Sequence, residues 1–178
     1  MKIDVFFIDF DSSFVTIESL DYAVKLAVDE AVKENPSNKD ILDIPKQIEE
    51  ITNLGMEGKI KFKESLERRI TAVKGILKEK HFIETSEIAL KHVSETIPEL
   101  IKRIKELNKE VYILTNGFTL MAKKVADYYN INGIFANKHY IDDNGFIVGY
   151  DKDFPLAGNG GKVKIVKEFL TNSNKKAI

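Results

Sequence analysis

The chain has 178 residues, 43% hydrophobic and 31% charged, and its 27 basic and 28 acidic side chains leave a net charge of −1. This is room for one compact core with a lobe inserted into it. The balance provides no basic field for nucleic acid and no polybasic membrane patch, and with no cysteine there is no disulfide framework, thiol nucleophile or cysteine metal site.

The N-terminus, MKIDVFFIDFD, lacks a signal peptide's long apolar region, and no run approaches the ~20 apolar residues of a membrane span. A cytoplasmic protein, monomeric or homodimeric, is the expectation. Residues 3–8, IDVFFI, predict a short buried strand, and residues 110–114, EVYIL, predict another. The strands end at DFDSS and TNG. Between them the pattern is mostly helical. Val24, Val28, Ala31 and Val32 share one helical face, Ile48, Ile51 and Leu54 share a second, and Phe62, Leu66, Ile70, Val73 and Leu77 a third. A helix from about Thr96, with Pro98 in its first turn, is expected to bury Ile97, Leu100, Ile101, Ile104 and Leu107. After TNGF a helix places Met121, Val125 and Tyr128 on one face. A short strand near Ile134 and Phe135 follows, then HYIDDNGFIVGY, a hairpin around Asn144-Gly145. The loop AGNGGK precedes a helix through Val166, Phe169 and Leu170, and KKAI opens a further strand.

This order predicts an α/β protein: a three-layer α/β/α, Rossmann-like parallel sheet with a hairpin. The helices between the first two strands are too many for one crossover. Residues 15–91 therefore read as an inserted helical cap, and residues 1–14 and 92–178 as the core.

In an open parallel sheet, ligands bind beyond the carboxyl ends of the strands, where DFDSS and TNG stand. Burying ionised carboxylates such as Asp9 and Asp11 is costly unless they are paired or metal-bound. Asp9 closes its strand and can be held rigidly as a nucleophile; Asp11, two residues on, projects to the same side and can transfer protons. Thr115 and the amides after it can bond phosphate oxygens. Lys162, with a divalent cation, would offset the repulsion of carboxylate and phosphate, roughly 4 kcal/mol per charge pair near 4 Å at an effective dielectric of about 20. AGNGGK does not match a P-loop, because valine follows Lys162. His81, His92 and His139 lack metal-ligand spacing and read as surface or packing residues. Alone, D-x-D or TNG also serves in caps and turns; the ordered combination carries the reading.

DFDSS, then TNG, then a lysine after a glycine-rich loop resembles the haloacid dehalogenase superfamily of aspartate-nucleophile phosphatases. DFDSSFVTIESLD (9–21), with its E-x-x-D, and MEGKIKFKESLERRI (56–70) are similar to the first motif and the cap signature of the phosphoserine phosphatase family. FANKHYIDDNGFIVGYD and GGKVKIVKEFL follow that family in order and spacing. The resemblance implies Asp9 as nucleophile and Mg²⁺ ligand, and Asp11 as general acid and base whose backbone carbonyl also touches Mg²⁺. It implies Thr115, Asn116 and Gly117 as the phosphate loop and Lys162 as the neutralising cation. Glu18 would take the substrate ammonium and Arg69 its carboxylate, with Met56 and Phe62 lining the cap pocket. A phosphorylated amino acid offers one cationic and two anionic groups, which this set complements. The implied reaction is hydrolysis of O-phosphoserine, the last step of serine biosynthesis.

Two departures stand out. The family's S-G-G is here Thr115-Asn116-Gly117, which leaves another small phosphate ester as an alternative substrate. The family's G-D-G-x-x-D loop, which supplies the remaining acidic metal ligand, has no counterpart. That ligand and the last strands of the sheet are expected beyond residue 178. A truncated, non-catalytic phospho-ligand-binding module is the other alternative.

Overall fold

Three parallel strands, β1 (Val5–Ile8), β2 (Glu110–Phe118) and β3 (Gly133–Asn137), lie in the order β1-β2-β3. The computed structural model describes residues 3–37, 39–173 and 175–177. Phe6 pairs with Val111, Ile8 with Ile113, and Ile113 with Ile134. Ala177 adds a parallel bridge to Val5, so the strand expected at KKAI begins on the free side of β1; Ile178 lies outside the described residues.

Side chains alternate across β2, as a strand requires. Val111 and Ile113 pack with α5 (Ile97–Glu106) and α6 (Thr119–Tyr128) through Ile101, Ile104, Ala122 and Val125. Leu114 faces the other way, onto Leu156 and Ile165, the latter on α7 (Gly161–Ser173). On that face the Phe7, Tyr112 and Phe169 rings cluster, with Tyr112 and Phe169 centroids 5.0 Å apart. Helices thus cover both faces of a parallel sheet, the expected α/β architecture.

Four helices stand between β1 and β2: α1 (Ser19–Glu34), α2 (Ile44–Met56), α3 (Phe62–Ala72) and α4 (Glu79–Ala89). In α1 the buried set Leu20, Ala23, Val24, Ala27 and Val28 has the i, i+3, i+4 spacing of one apolar stripe. It packs on Ile48, Leu66, Ile70 and Phe82. The Phe82 ring stacks on Phe118 at 5.2 Å, joining the inserted helices to the sheet.

Several sequence expectations need correction. The third helix stops at Ala72 rather than running to Leu77, because the chain turns at Gly75, whose φ of +82° favours glycine. α4 has no long apolar pattern; its buried face includes His81, Thr85 and Ser86, which hides it from periodicity. Leu100, Leu107 and Tyr128 are exposed; α5 ends at Glu106, so Leu107 lies beyond the helix expected to bury it. β2 runs past Leu114 to Phe118, so TNG lies within the strand, where its pairing with β3 shifts register. The hairpin forms as expected from β4 (His139–Ile141) and β5 (Ile147–Tyr150). Asp142 Oδ1 accepts the Asn144 and Phe146 N–H groups at 2.9 Å each, and Gly145 takes φ +77°. Among the described residues, no helix is long and apolar enough to cross a membrane.

Candidate active site

Asp9 follows the last residue of β1 and is half-buried at the carboxyl edge of the sheet. Its Oδ1 accepts the Phe10 N–H at 2.8 Å and its Oδ2 is ion-paired with Lys162 Nζ. Asp11 remains extended (φ −65°, ψ 137°), then Ser12 turns the chain at φ +52°. Asp11 Oδ1 accepts the Ser19 N–H at 2.8 Å, which anchors it to the start of α1. Burial pushes the Asp11 carboxyl up from the usual 3.8 to about 6; the bonded Ser19 amide opposes the rise, and the negative charges of Glu18 and Asp9 add to it. The buried Ser19 hydroxyl is near enough to bias this carboxylate downward without reaching hydrogen-bond geometry.

The β2 irregularity shapes the second wall. Thr115 is buried, and its Oγ1 accepts the Gly117 N–H at 2.9 Å. A Cβ on Gly117 would stand 3.2 Å from Asp11 Oδ2 and 3.3 Å from Thr115 Oγ1, so glycine lets this loop approach the carboxylate. Asn116 does not simply enlarge the loop. Its Nδ2 donates to Leu156 O at 2.7 Å, while Asn137 Nδ2 donates to Asn116 O at 2.8 Å and lies 3.2 Å from Leu156 O. This pair ties the loop to the turn ahead of α7. There a Cβ on Gly161 would come within 1.9 Å of Pro155 O, so only glycine permits the tight entry that puts Lys162 beside Asp9.

The inserted helices supply the remaining wall. Glu18, just before α1, accepts the Ser12 Oγ–H at 2.6 Å. Arg69 on α3 is buried; its Nη1 lies 3.4 Å from Thr52 Oγ1 and 3.7 Å from Asp21 Oδ1. Phe62 opens α3, and its N–H donates to Asn159 Oδ1 at 3.1 Å across the cleft. Met56 is exposed at the rim.

A cavity of about 370 Å³ is lined by all ten residues singled out from the sequence: Asp9, Asp11, Glu18, Met56, Phe62, Arg69, Thr115, Asn116, Gly117 and Lys162. Thr52 lines it too and was not singled out; a threonine within a helix carries no sequence signal of its own. Asp21 was visible only as the last letter of E-x-x-D. Nor did sequence reasoning find Ser19 or Asn137, whose roles depend on contacts distant in the chain.

The hard carboxylate oxygens of Asp9 and Asp11 suit a cation such as Mg²⁺, which would offset both the burial that chiefly raises Asp11 and the smaller push from the Glu18 and Asp9 charges. Among the described residues, no three His, Cys, Asp or Glu side chains group to hold a metal ion.

The model of the haloacid dehalogenase-like hydrolase family matches residues 3–159. The chain belongs to that family. Among haloacid dehalogenase-like relatives, the phosphoserine phosphatase of Homo sapiens is 28% identical over 162 residues, covering 89% of this chain and 64% of the human protein. The chloroplastic phosphoserine phosphatase of Arabidopsis thaliana is 32% identical over 126 residues, covering 69% of this chain and 42% of the plant protein. The chain therefore spans less than two thirds of either relative. The crystal structure of a phosphoserine phosphohydrolase-like protein from Francisella tularensis matches with a TM-score of 0.76 at 24% identity, over 99% of this chain and 76% of that one. That likeness shows a shared fold.

Proposed function

We propose that the chain belongs to a phosphomonoester hydrolase whose substrate is O-phosphoserine. One observation carries this reading: the Asp9/Asp11 pair and the Glu18/Arg69 pair line the same cavity. The first pair suits chemistry at phosphorus, and the second complements the ammonium and carboxylate of an amino acid.

In this reading an Asp9 carboxylate oxygen attacks phosphorus and the bond to the seryl oxygen breaks. Asp11 gives that oxygen a proton, and serine leaves. Asp11 then takes a proton from water as the water oxygen attacks the aspartyl-phosphate, releasing phosphate and restoring both acids. Its carboxyl, raised to about 6, is poised for both directions of transfer. Lys162 and the Thr115 hydroxyl, whose oxygen accepts the Gly117 N–H and whose proton is thereby turned outward, neutralise and bind the phosphoryl oxygens. Asp9 and Asp11 would hold Mg²⁺, which when bound offsets the negative charge shared by carboxylate and phosphate. Residues 15–91 act as a cap that excludes water. The Asn116 side-chain amide is engaged by Leu156 O, which ties the loop to the turn ahead of α7.

A substrate comparison tests the assignment. In the enzyme extended to the full length of its relatives, Arg69→Ala should reduce kcat/KM for O-phospho-L-serine about a hundredfold, the loss of one buried charged hydrogen-bonding group. It should change p-nitrophenyl phosphate hydrolysis little, since that ester has no carboxylate. Equal losses on both would remove the amino-acid assignment.

A further inference from the structure

Three helices converge on Arg69. The arginine is on α3, Thr52 is on α2 and Asp21 is in the first turn of α1. Arg69 is 8% exposed, and both Asp21 Oδ1 and Thr52 Oγ1 stand at its Nη1 corner. Thr52 has one hydroxyl proton. It serves the Ile48 carbonyl at 2.9 Å or Asp21 Oδ1 at 3.3 Å, and in either case leaves a lone pair for Arg69. At 3.7 Å, Asp21 is a charge partner to Nη1 rather than a short hydrogen bond.

The opposite side of the fork is different. Arg69 Nε is buried and has no hydrogen-bond partner. A buried donor on a cation left unpaired is costly, and the planar guanidinium pairs best with a carboxylate through two parallel N–H groups. Nη1 lies across the plane from the Nε–H edge, so holding Nη1 fixes the direction of that edge.

We infer that Asp21 and Thr52 are positioning residues: they hold the Nη1 corner of Arg69 so that its Nε–H edge is kept for the substrate's carboxylate. The inference rests on the amino-acid substrate proposed above. It makes Asp21 a specificity-determining group that never touches substrate, and Thr52 the hydroxyl that completes its grip.

Calorimetric titration with Mg²⁺ present, in an Asp9→Asn background that prevents turnover, separates these roles. The two ligands are O-phospho-L-serine and O-phosphoethanolamine, which keeps phosphate and ammonium but lacks the carboxylate. Asp21→Asn and Thr52→Val should each weaken O-phospho-L-serine about tenfold, the scale of one charge-assisted contact, and leave O-phosphoethanolamine within about twofold. Thr52→Val keeps the side chain's shape and carries the test should Asp21→Asn fail to fold. Equal weakening of both ligands would make the two residues merely structural and overturn the inference. Tighter O-phospho-L-serine binding in Asp21→Asn would also overturn it, by making Asp21 a competitor for Arg69. Arg69→Ala is the control for the underlying reading. If it spares or weakens both ligands alike, or if the parent binds neither, the substrate assignment fails and the inference with it. If it is selective while the other two variants are silent, the inference alone fails.

Discussion

Lys162 in the first turn of α7 is ion-paired with Asp9 at the end of β1, 153 residues away. Both side chains are partly exposed, at 33% and 43%, so the pair contributes little to stability. Its value lies in position. Lys162→Met should lower turnover of phosphate esters by about 10²–10³, the usual cost of removing one preorganised charge-stabilising group. The thermal midpoint should barely move. A variant that loses several degrees of stability but little activity would show the contact to be structural.

Gly161 controls how α7 reaches that position. Because a Cβ there would meet the Pro155 carbonyl at 1.9 Å, Gly161→Ala must displace either the Pro155–Ala157 turn or the start of α7. Leu156, whose carbonyl accepts from Asn116, lies in that turn, so the Thr115–Gly117 segment shifts with it. The expected outcome is a fall in both turnover and folding stability, the latter by about 1–3 kcal/mol of overpacking. Gly149→Ala is the comparison: its Cβ meets nothing within 4 Å, and the variant should match the parent in both measurements.

The sheet and the carboxylate pair were legible because each is written locally. IDVFFI and EVYIL are apolar runs of strand length, and Asp9 and Asp11 follow the first of them at the position where a parallel sheet exposes its ligands. Arg69 and Glu18 were legible only through family resemblance, since nothing in the spacing of either says that α1 and α3 would meet. Other features depend on contacts that no local pattern encodes. α4 is anchored by polar atoms: Lys78 N–H donates to His81 Nδ1 at 3.0 Å, and Ser86 Oγ accepts the Lys124 N–H at 2.9 Å. Its buried face therefore looks hydrophilic in sequence. Likewise TNG reads as a turn, yet it continues β2 through a register shift, because Asn137 and Leu156 supply the partners that a turn would otherwise provide for itself.

Glu30 on α1 holds α4 through three partners: Lys80, Lys78 at 3.2 Å and His81 Nε2 at 3.4 Å. His81 Nδ1 accepts a backbone N–H, so in the neutral ring Nε2 carries the proton and donates to Glu30. Hydrogen bonding from Lys80 chiefly, then from Lys78 and His81, lowers the Glu30 carboxyl from 4.5 to about 2. A carboxyl lowered by folding stabilises the fold above its unfolded value and loses that contribution as pH falls through the folded one. Glu30→Gln should therefore unfold earlier in urea at pH 7, by about 1 kcal/mol, with the gap closing between about pH 4.5 and pH 2. A gap unchanged at pH 2 would assign the effect to packing instead of charge.

Asp11 works in the opposite sense. Its carboxyl rises from 3.8 to about 6 on folding, chiefly through burial, so ionising it in the native state costs free energy. The sign follows from linkage: the native state binds a proton more tightly than the unfolded chain, and stability declines as pH rises from about 3.8 through about 6. With chelator present, Asp11→Asn should be more stable than the parent at pH 7.5, by on the order of 2–3 kcal/mol, and equal to it near pH 3.5, where Asp11 is already neutral. The amide oxygen can still accept the Ser19 N–H, so the substitution removes charge and keeps the anchor. Turnover should fall by about 10²–10⁴, the range for a general acid-base group. Added Mg²⁺ should stabilise the parent and narrow the gap, because a ligand that binds only the folded state adds stability in proportion to its occupancy. A parent more stable than Asp11→Asn in chelator at pH 7.5 would show that burial does not penalise this carboxylate, and the tuned acid-base role proposed for it would go too.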